Sequence, residues 1–290
     1  MSTLEATVTA NFGRHFEVET NQGDILVATR RGKKQDITCN DRVLIETTLN
    51  NEAVIVDKIP CKNLFYRSDQ YRQKTLAANI DQVIAVIANE PTFSDALLAR
   101  ILVAGESNQC DTVIVHNKID LPLTDRDRQI LYYYQTLNYQ LIEISAINQD
   151  IKPLLAVLDK KTSLLVGQSG MGKSTIINQL LPHQPARTND ISAALDSGKH
   201  TTTYTRRYTI NSETFIIDSP GVQEFGLNHI SNAGLENLFK EFSPLIGQCR
   251  FHNCQHLNEP QCAFKEWVAN DPMKKRRLEL LIELQQTNQR

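Results

Sequence analysis

The sequence predicts a multi-domain α/β protein with a small N-terminal β-barrel, a central domain built on a parallel sheet and a helical C-terminal module. Three observations support this prediction. The first 60 or so residues contain five short strand-like runs, and from about residue 80 apolar strands alternate with helical segments. A crowded group of cysteines and histidine then precedes a strongly helical end. The boundaries that follow are 1–63, 64–227 and 228–290.

Composition and charge are those of an ordinary globular protein. The chain has 290 residues, of which 41% are hydrophobic and 22% charged, with a formal net charge of −2. Its apolar runs stay well short of the roughly 18–20 residues of a membrane span. The N-terminus lacks the basic and apolar segments of a signal peptide. We therefore expect a cytoplasmic monomer with no membrane partner and no DNA partner.

Local basic clusters leave RNA open as a partner despite the negative net charge. One cluster is Arg30, Arg31, Lys33 and Lys34, and the other is Lys274, Lys275, Arg276 and Arg277. Each is either a solvated face or a set of phosphate contacts, because binding to phosphates depends on where the cations cluster.

The N-terminal strands predict a small closed barrel. They span 6–10, 15–19, 24–28, 42–46 and 53–57, and turn residues such as Gly13 and Gly23 separate them. An OB-fold is the first candidate and an SH3-like barrel the alternative, since periodicity does not distinguish them. Pro60 then marks the exit into a linker around 63–67.

The central domain alternates strands with helices. The strands are predicted at 82–88, 112–115, 140–144, 163–166 and 214–217, and the helices at 96–107, 126–137, 151–158 and 173–181. Ser94 and Asp95 can cap the first helix. The strand at 82–88 is continuously apolar, which is typical of a parallel strand buried on both faces.

A phosphate-binding loop follows the strand at 163–166. Residues 167–174 fit the pattern G-x-x-x-x-G-K-[ST], in which backbone N–H groups surround a β-phosphate at a helix N-terminus. Lys173 would reach the β- and γ-phosphates, and Ser174 would ligate Mg²⁺. The residues predicted to contact nucleotide here are Gly167, Ser169, Gly170, Met171, Gly172, Lys173, Ser174 and Thr175.

A guanine-reading motif precedes the phosphate loop. Asn117, Lys118 and Asp120 fit N-K-x-D, and the Asp120 carboxylate can accept from N1–H and the 2-amino group of guanine, which adenine does not offer. Ser145 and Ala146 stand where a backbone N–H meets guanine O6. These signals favour GTP over ATP. Their order is the reverse of that in an ordinary GTPase, so the domain is predicted to be a circularly permuted P-loop GTPase.

Further residues complete the predicted catalytic site. Asp218 and Gly221 fit D-x-x-G after an apolar strand, where the acid holds Mg²⁺ through water. Thr202 is the preferred switch threonine for Mg²⁺, with Thr201 and Thr203 as alternatives. Val222 stands where related enzymes carry a glutamine that orients water. His200 is therefore the candidate for that role, unless a partner macromolecule seats the water.

The C-terminal cysteines predict one structural zinc site. Cys249, Cys254, His256 and Cys262 offer three thiolates and an imidazole within fourteen residues, a closed tetrahedral set. His252 is a less favoured ligand. The other cysteines, Cys39, Cys61 and Cys110, are interpreted as buried or half-buried apolar residues.

Together these residues resemble the RsgA (YjeQ/YloQ) family of circularly permuted GTPases that assist small ribosomal subunit biogenesis. The motifs that carry the resemblance are N-K-I-D, S-A, G-Q-S-G-M-G-K-S, G-K-H-T-T-T, D-S-P-G and C-x₄-C-x-H-x₅-C, in that order. Lys199 departs from the family, which often has arginine there. The barrel carries no motif of its own.

The resemblance implies an OB-fold barrel, a permuted GTPase domain and a zinc-binding helical module. It also implies GTP hydrolysis to GDP stimulated by the 30S subunit, with barrel and zinc module contacting 16S rRNA, and a catalytic histidine matching His200. A GTP-dependent RNA-binding module with incidental hydrolysis is the alternative. A zinc-linked ATPase of RNA metabolism is a third possibility, which Asp120 opposes.

Overall fold

A computed structural model of the chain describes residues 3–32, 36–48, 51–68, 73–181, 204–220 and 225–288. Its N-terminal strands form a closed barrel. The strands are β1 (Leu4–Asn11), β2 (His15–Thr20), β3 (Ile25–Arg30), β4 (Arg42–Thr47) and β5 (Glu52–Lys58). They pair in the order β1-β2-β3-β5-β4, and β4 pairs back onto β1. The β3–β5 pair is parallel and the others are antiparallel. The predicted OB-like barrel is confirmed.

The segment predicted as a linker at 63–67 is instead a strand. β6 (Leu64–Ser68) pairs with β7 (Gln73–Ala78) in an antiparallel hairpin. Phe65 is fully buried and its ring centroid lies 5.9 Å from that of Phe225. The prediction was wrong because the apolar partners that bury this short strand lie in distant parts of the chain.

The central domain is a parallel sheet with flanking helices. In chain order its elements are β8 (Gln82–Ala88), α1 (Asp95–Ser107), β9 (Asp111–Asn117), α2 (Asp125–Thr136), β10 (Gln140–Glu143), α3 (Lys152–Leu158), β11 (Thr162–Val166), α4 (Lys173–Leu180), β12 (Arg206–Thr209) and β13 (Phe215–Asp218). The strands β10-β9-β8-β11-β13 lie side by side and are all parallel. Every residue of β8 is buried, as its apolar sequence predicts. The predicted elements end within about two residues of these bounds, the usual uncertainty of helix and strand ends.

One strand of this sheet was not predicted. β12 pairs antiparallel with β13 and also contacts β1, with Ala10 opposite Arg206, so barrel and sheet are continuous. Arg206 donates to Glu17 at 2.9 Å and Arg207 to Glu19 at 2.8 Å. Two adjacent arginines look solvated in a sequence. Here two barrel carboxylates make their partial burial possible.

The C-terminal module packs onto the central domain. It contains α5 (Asn232–Leu238), a short 3₁₀ turn (Ser243–Leu245), α6 (Ala263–Val268) and α7 (Pro272–Asn288). Its buried aromatic rings Phe239, Phe242 and Phe264 belong to the same hydrophobic core as the parallel sheet, whereas the barrel has a core of its own. Among the described residues, no helix combines the length and apolarity needed to cross a bilayer.

The basic cluster at the start of α7 divides between the interior and the surface. Arg276 donates twice to the Asp95 carboxylate, at 2.8 and 3.1 Å. Arg277 is 3% exposed and donates to Glu241 and to the Tyr134 hydroxyl. Lys275 remains exposed, and the ammonium of Lys274 lies over the Trp267 ring. The four cations therefore form neither a continuous solvated face nor a continuous phosphate-binding patch.

Candidate functional site

The motifs singled out in the sequence meet at one edge of the parallel sheet. Asn117 ends β9, Ser145 follows β10, Gly167 follows β11 and Asp218 ends β13. Because these strands are parallel and adjacent, their carboxyl ends meet at the same edge. Ligands of open α/β sheets bind in the crevice at that edge.

The phosphate loop connects β11 to α4 and relies on three glycines. Gly170 and Gly172 have left-handed backbone, with φ of 84° and 92°, which side chains with a Cβ adopt rarely. A Cβ on Gly172 would lie 2.2 Å from Asn117 Nδ2, and one on Gly167 would lie 2.3 Å from the Val86 carbonyl oxygen. The loop therefore packs so closely on β8 and Asn117 that larger residues would displace it.

Lys173 is the first residue of α4 and is buried at 8% exposure. Its ammonium donates to the carbonyl oxygens of Gly167, at 2.8 Å, and Gln168, at 3.0 Å. Burial lowers the pKa of Lys173, and the Asp218 carboxylate opposes that shift. The loop thus curls around its own lysine, which places the cation where a phosphate group would be bound.

Asn117 connects the base-reading motif, N-K-x-D at 117–120, to the phosphate loop. Its Nδ2 donates to the Met171 carbonyl oxygen at 3.0 Å, and its Oδ1 accepts from the Ala146 backbone N–H at 3.1 Å. The Ala146 N–H therefore holds Asn117 in this structure. One buried amide joins three separate parts of the predicted site.

The other base-reading residues surround Asn117. The Ser145 hydroxyl donates to the Asp120 carboxylate, which is exposed at the mouth of the site. Lys118 has φ of 64° and its ammonium donates to the Glu90 carbonyl oxygen at 2.6 Å. The Lys118 stem approaches Gly172, where a Cβ would lie 3.9 Å from Lys118 Cε. The carboxylate that would contact a base is thus already oriented by a hydroxyl.

The residues predicted to hold Mg²⁺ lie partly within the described structure. Ser174 and Thr175 are exposed in the first turn of α4. Asp218 is 4% exposed, sits opposite Leu165 in the β11–β13 pair and acts electrostatically on Lys173. A hydroxyl and a carboxylate are oxygen donors suited to Mg²⁺. His200, Thr202 and Gly221 lie outside the described residues, as do Thr201, Thr203 and Val222.

Four side chains of the C-terminal module converge. The ligand atoms of Cys249, Cys254, His256 and Cys262 lie within 4.8 Å of one another. The sulfurs of Cys249 and Cys262 are 3.9 Å apart. Two thiolates about 2.3 Å from one tetrahedral Zn²⁺ would be about 3.8 Å apart, so the separation fits that ion. His252 is exposed in the same loop and does not belong to the group.

The surroundings of the cluster orient its histidine. His256 Nδ1 faces the sulfurs, 3.3 Å from Cys262, while Nε2 lies 3.2 Å from a Glu236 carboxylate oxygen on α5. The imidazole stacks on Phe264 with ring centroids 3.9 Å apart. A carboxylate on the outer nitrogen of a histidine ligand is a common partner in zinc sites.

Glu259 organises the loop between His256 and Cys262. Its carboxylate accepts from the backbone N–H groups of Gln255, Leu257 and Asn258, at 2.9, 2.9 and 3.0 Å. These bonds hold the pKa of Glu259 below its ordinary value, and the bond from Gln255 contributes most. The loop that carries the ligands is therefore ordered by protein contacts as well.

The sequence did not indicate the residues that hold the site residues in position through hydrogen bonds. Glu236 lies 20 positions before His256, and Asn89 and His116 lie beneath the base-reading motif. None of them belongs to a motif with a fixed spacing. The nearest signal was the position of His116 directly before Asn117.

Comparison with known proteins identifies relatives over most of the chain. The sequence pattern of the RsgA GTPase family matches residues 58–228. A small ribosomal subunit biogenesis GTPase RsgA from Neisseria meningitidis serogroup C is 50% identical over 261 residues, covering 90% of this chain and 84% of the relative. The protein of that name from Paraburkholderia phymatum is 47% identical over 290 residues, covering 97% and 90%.

Solved structures share the architecture. YjeQ from Thermotoga maritima is 27% identical and aligns with a TM-score of 0.72, covering 98% of this chain and 99% of that one. YloQ, described as a circularly permuted GTPase, is 22% identical and aligns with a TM-score of 0.68, covering 99% and 96%. The second likeness concerns the fold, and it extends from the barrel to the C-terminal module.

Proposed function

The chain belongs to the RsgA GTPase family and is a GTP-hydrolysing enzyme, and we propose that it assists assembly of the small ribosomal subunit at a late stage. Its relatives are named for biogenesis of that subunit. We further propose that the 30S subunit stimulates hydrolysis and that the chain contacts 16S rRNA. The names of these relatives support the role at the subunit, and the observation that carries the proposed GTP site is the Asn117 amide, which joins the base-reading motif to the phosphate loop.

The proposed recognition of guanine rests on Asp120. Its carboxylate, held by the Ser145 hydroxyl, would accept from the N1–H and 2-amino groups of the base. A base that lacks those donors would bind more weakly, because the carboxylate would receive no hydrogen bonds from it. Asp120→Asn is expected to weaken GDP binding and favour xanthosine diphosphate, whose 2-oxo group would accept from the new amide.

The proposed hydrolytic residues include two members of the phosphate loop and two of the predicted switch segment. Lys173 would contact the β- and γ-phosphates, and Ser174 with Thr202 would hold Mg²⁺, which neutralises charge on the phosphates when bound. His200 would orient the attacking water. His200→Ala is therefore expected to suppress turnover while GTP affinity stays nearly unchanged.

The zinc-binding role of the C-terminal module is likewise a proposal. Cys249, Cys254, His256 and Cys262 would hold one Zn²⁺ with no open position, so the ion would be structural. We propose that this module and the barrel form the surfaces that meet the subunit. The domains are taken as 1–63, 64–227 and 228–290. The protein is proposed to act as a monomer in the cytoplasm.

Measurement of GTP turnover with and without purified small subunits tests the proposed function. Large subunits at the same concentration serve as the control. Strong stimulation by small subunits alone is expected, and it should disappear in His200→Ala. Nucleotide-dependent binding to small subunits without faster turnover would contradict the proposal and favour an RNA-binding module with incidental hydrolysis.

A further inference from the structure

We propose that His116 and Asn89 form a positioning pair that holds the base-recognition loop, residues 117–121, and thereby sets how strongly the protein discriminates guanine from related bases. This inference rests on the proposed recognition of guanine by Asp120. Neither residue would touch the nucleotide. Both lie beneath the loop, at the carboxyl ends of β8 and β9.

The base-recognition loop is held at both ends. Asn117 secures its start through the contacts to Met171 and Ala146. At its end, Asn89 Nδ2 donates to the Leu121 carbonyl oxygen at 2.7 Å. Between them the Ile119 N–H donates to the Ile144 carbonyl oxygen at 3.3 Å. Asp120 therefore lies between two backbone positions that are each fixed by a hydrogen bond.

His116 in turn fixes Asn89. The His116 Nε2 lies 2.6 Å from Asn89 Oδ1. The Leu121 carbonyl oxygen can only accept, so the Asn89 amide must turn its NH₂ group toward Leu121 and its oxygen toward His116. His116 Nε2 must then carry a proton, as it does in the charged ring and in the Nε2–H tautomer of the neutral ring. The chain of hydrogen bonds runs from His116 through Asn89 to the loop.

The pair is buried and has few ways to rearrange. His116 is 2% exposed and Asn89 is 6% exposed. His116 lies within the sheet, opposite Ile87 of β8 and Glu143 of β10. A buried amide left without its hydrogen bonds is costly, which favours the single arrangement that satisfies both partners. The loop is thereby held in one position relative to the sheet.

Loss of this support should affect guanine more than hypoxanthine. Guanine offers Asp120 two donors, N1–H and the 2-amino group, whereas hypoxanthine offers only N1–H. A displaced Asp120 loses more binding energy with the base that uses both of its carboxylate oxygens. The ratio of GDP to inosine diphosphate (IDP) affinity therefore reports on the position of the loop, and a general loss of stability would not change it.

The experiment measures the dissociation constants of GDP and IDP for four variants. Asn89→Asp keeps an oxygen for His116 but has no N–H for Leu121, and His116→Phe removes the Nε2 donor. Both are expected to weaken GDP binding by about three- to tenfold and to reduce the GDP-to-IDP preference, as the loss of one hydrogen bond implies. His116→Gln restores an N–H donor near the Nε2 position and should retain the preference.

Ser163→Ala is the matched control. Ser163 is fully buried and accepts from Gln82 Nε2 at 2.8 Å, at the opposite end of the same sheet. This variant should lower the melting temperature and leave the GDP-to-IDP preference unchanged. A wild-type preference in folded Asn89→Asp and His116→Phe would overturn the inference. If His116→Phe does not fold, Asn89→Asp decides the question alone against the same control.

Asp120→Asn separates this inference from the proposed function. If that variant still prefers GDP over xanthosine diphosphate, Asp120 does not read guanine and the proposed recognition fails. If it shifts toward xanthosine diphosphate while Asn89→Asp keeps the wild-type preference, guanine recognition stands and only the positioning role of the pair is wrong.

Discussion

The Asn117 side chain donates to the Met171 carbonyl oxygen, 3.0 Å away and 54 positions later in the chain. This bond crosses from the end of β9 to the phosphate loop after β11. In a chain whose base-reading motif comes before its phosphate loop, it brings the two motifs together despite their reversed order. The site depends on the arrangement of strands in the sheet and not on the order of motifs in the sequence.

Asn117→Ala should weaken binding of GDP and GTP alike. The substitution removes a donor to Met171 and an acceptor for Ala146, so two buried backbone groups lose a partner. At about 1 kcal/mol for each bond, the dissociation constants should rise roughly thirtyfold. Titration with a fluorescent GDP analogue measures the change. Asn108→Ala is the control. It removes a side-chain hydrogen bond to the Ala104 carbonyl oxygen at the end of α1 and should leave nucleotide affinity unchanged.

Removal of Cys262, a proposed zinc ligand, should unfold the C-terminal module. Structural zinc contributes about 10 kcal/mol or more to small modules, and Cys262 directly precedes α6. We expect Cys262→Ser to lose the metal, measured by mass spectrometry, and to change the fluorescence of Trp267. That residue is the single tryptophan of the chain and packs against Phe242.

Cys61→Ser is the control for the zinc prediction. Cys61 is half-buried and lies outside the metal-ligand group, so its replacement should leave the metal content at one zinc per chain. Treatment of the wild type with a strong chelator should reproduce the effect of Cys262→Ser. Full zinc content in Cys262→Ser would contradict the assignment.

Arg277→Met should destabilise the attachment of α7. Arg277 donates to the buried Glu241 carboxylate and lies over the Phe239 ring, with its guanidinium carbon 4.5 Å from the centroid. Removal of the cation leaves Glu241 buried without its charge partner, which costs about 3–5 kcal/mol. Urea unfolding followed by Trp267 fluorescence measures the loss.

A second substitution tests the cause of that loss. If the unpaired carboxylate is responsible, Glu241→Leu added to Arg277→Met should recover much of the lost stability, because a well-packed apolar pair replaces a buried ion pair. Lys275→Met, on the exposed side of the same helix, should change stability by less than about 0.5 kcal/mol. No recovery in the double variant would show that Arg277 acts mainly through packing.

The parts of the fold that sequence predicted well are those set by neighbouring residues. The apolar run at 82–88 is buried on both faces, and Ser94 caps α1 by accepting from the Leu97 N–H. The glycines of the phosphate loop follow from local backbone conformation, and the convergence of the three cysteines with His256 from their spacing. Such features depend only on residues within one short segment, so the sequence of that segment is enough to predict them.

The parts that sequence did not predict depend on distant partners. Arg206 becomes part of a strand because Glu17, 189 positions away, neutralises it. Arg276 is half-buried because it pairs with Asp95, 181 positions away. In a sequence these arginines look like solvated cations, since nothing near them indicates a buried carboxylate. The pair of Asn89 and His116 was hidden for the same reason.

The buried position of His116 should make folding stability depend on pH. Burial lowers the pKa of His116 below its usual value of about 6.5, while the Glu143 and Asp127 carboxylates oppose that shift. Below pH 6.5 the unfolded chain therefore binds a proton that the folded chain resists, and unfolding becomes easier. This contribution to stability is present above pH 6.5 and is lost as the pH falls through the lower folded pKa.

Urea unfolding from about pH 7.5 to about pH 5.5 should show wild type losing more stability than His116→Gln, and Glu143→Gln losing most of all. Equal losses in wild type and His116→Gln would show that another group titrates in this range.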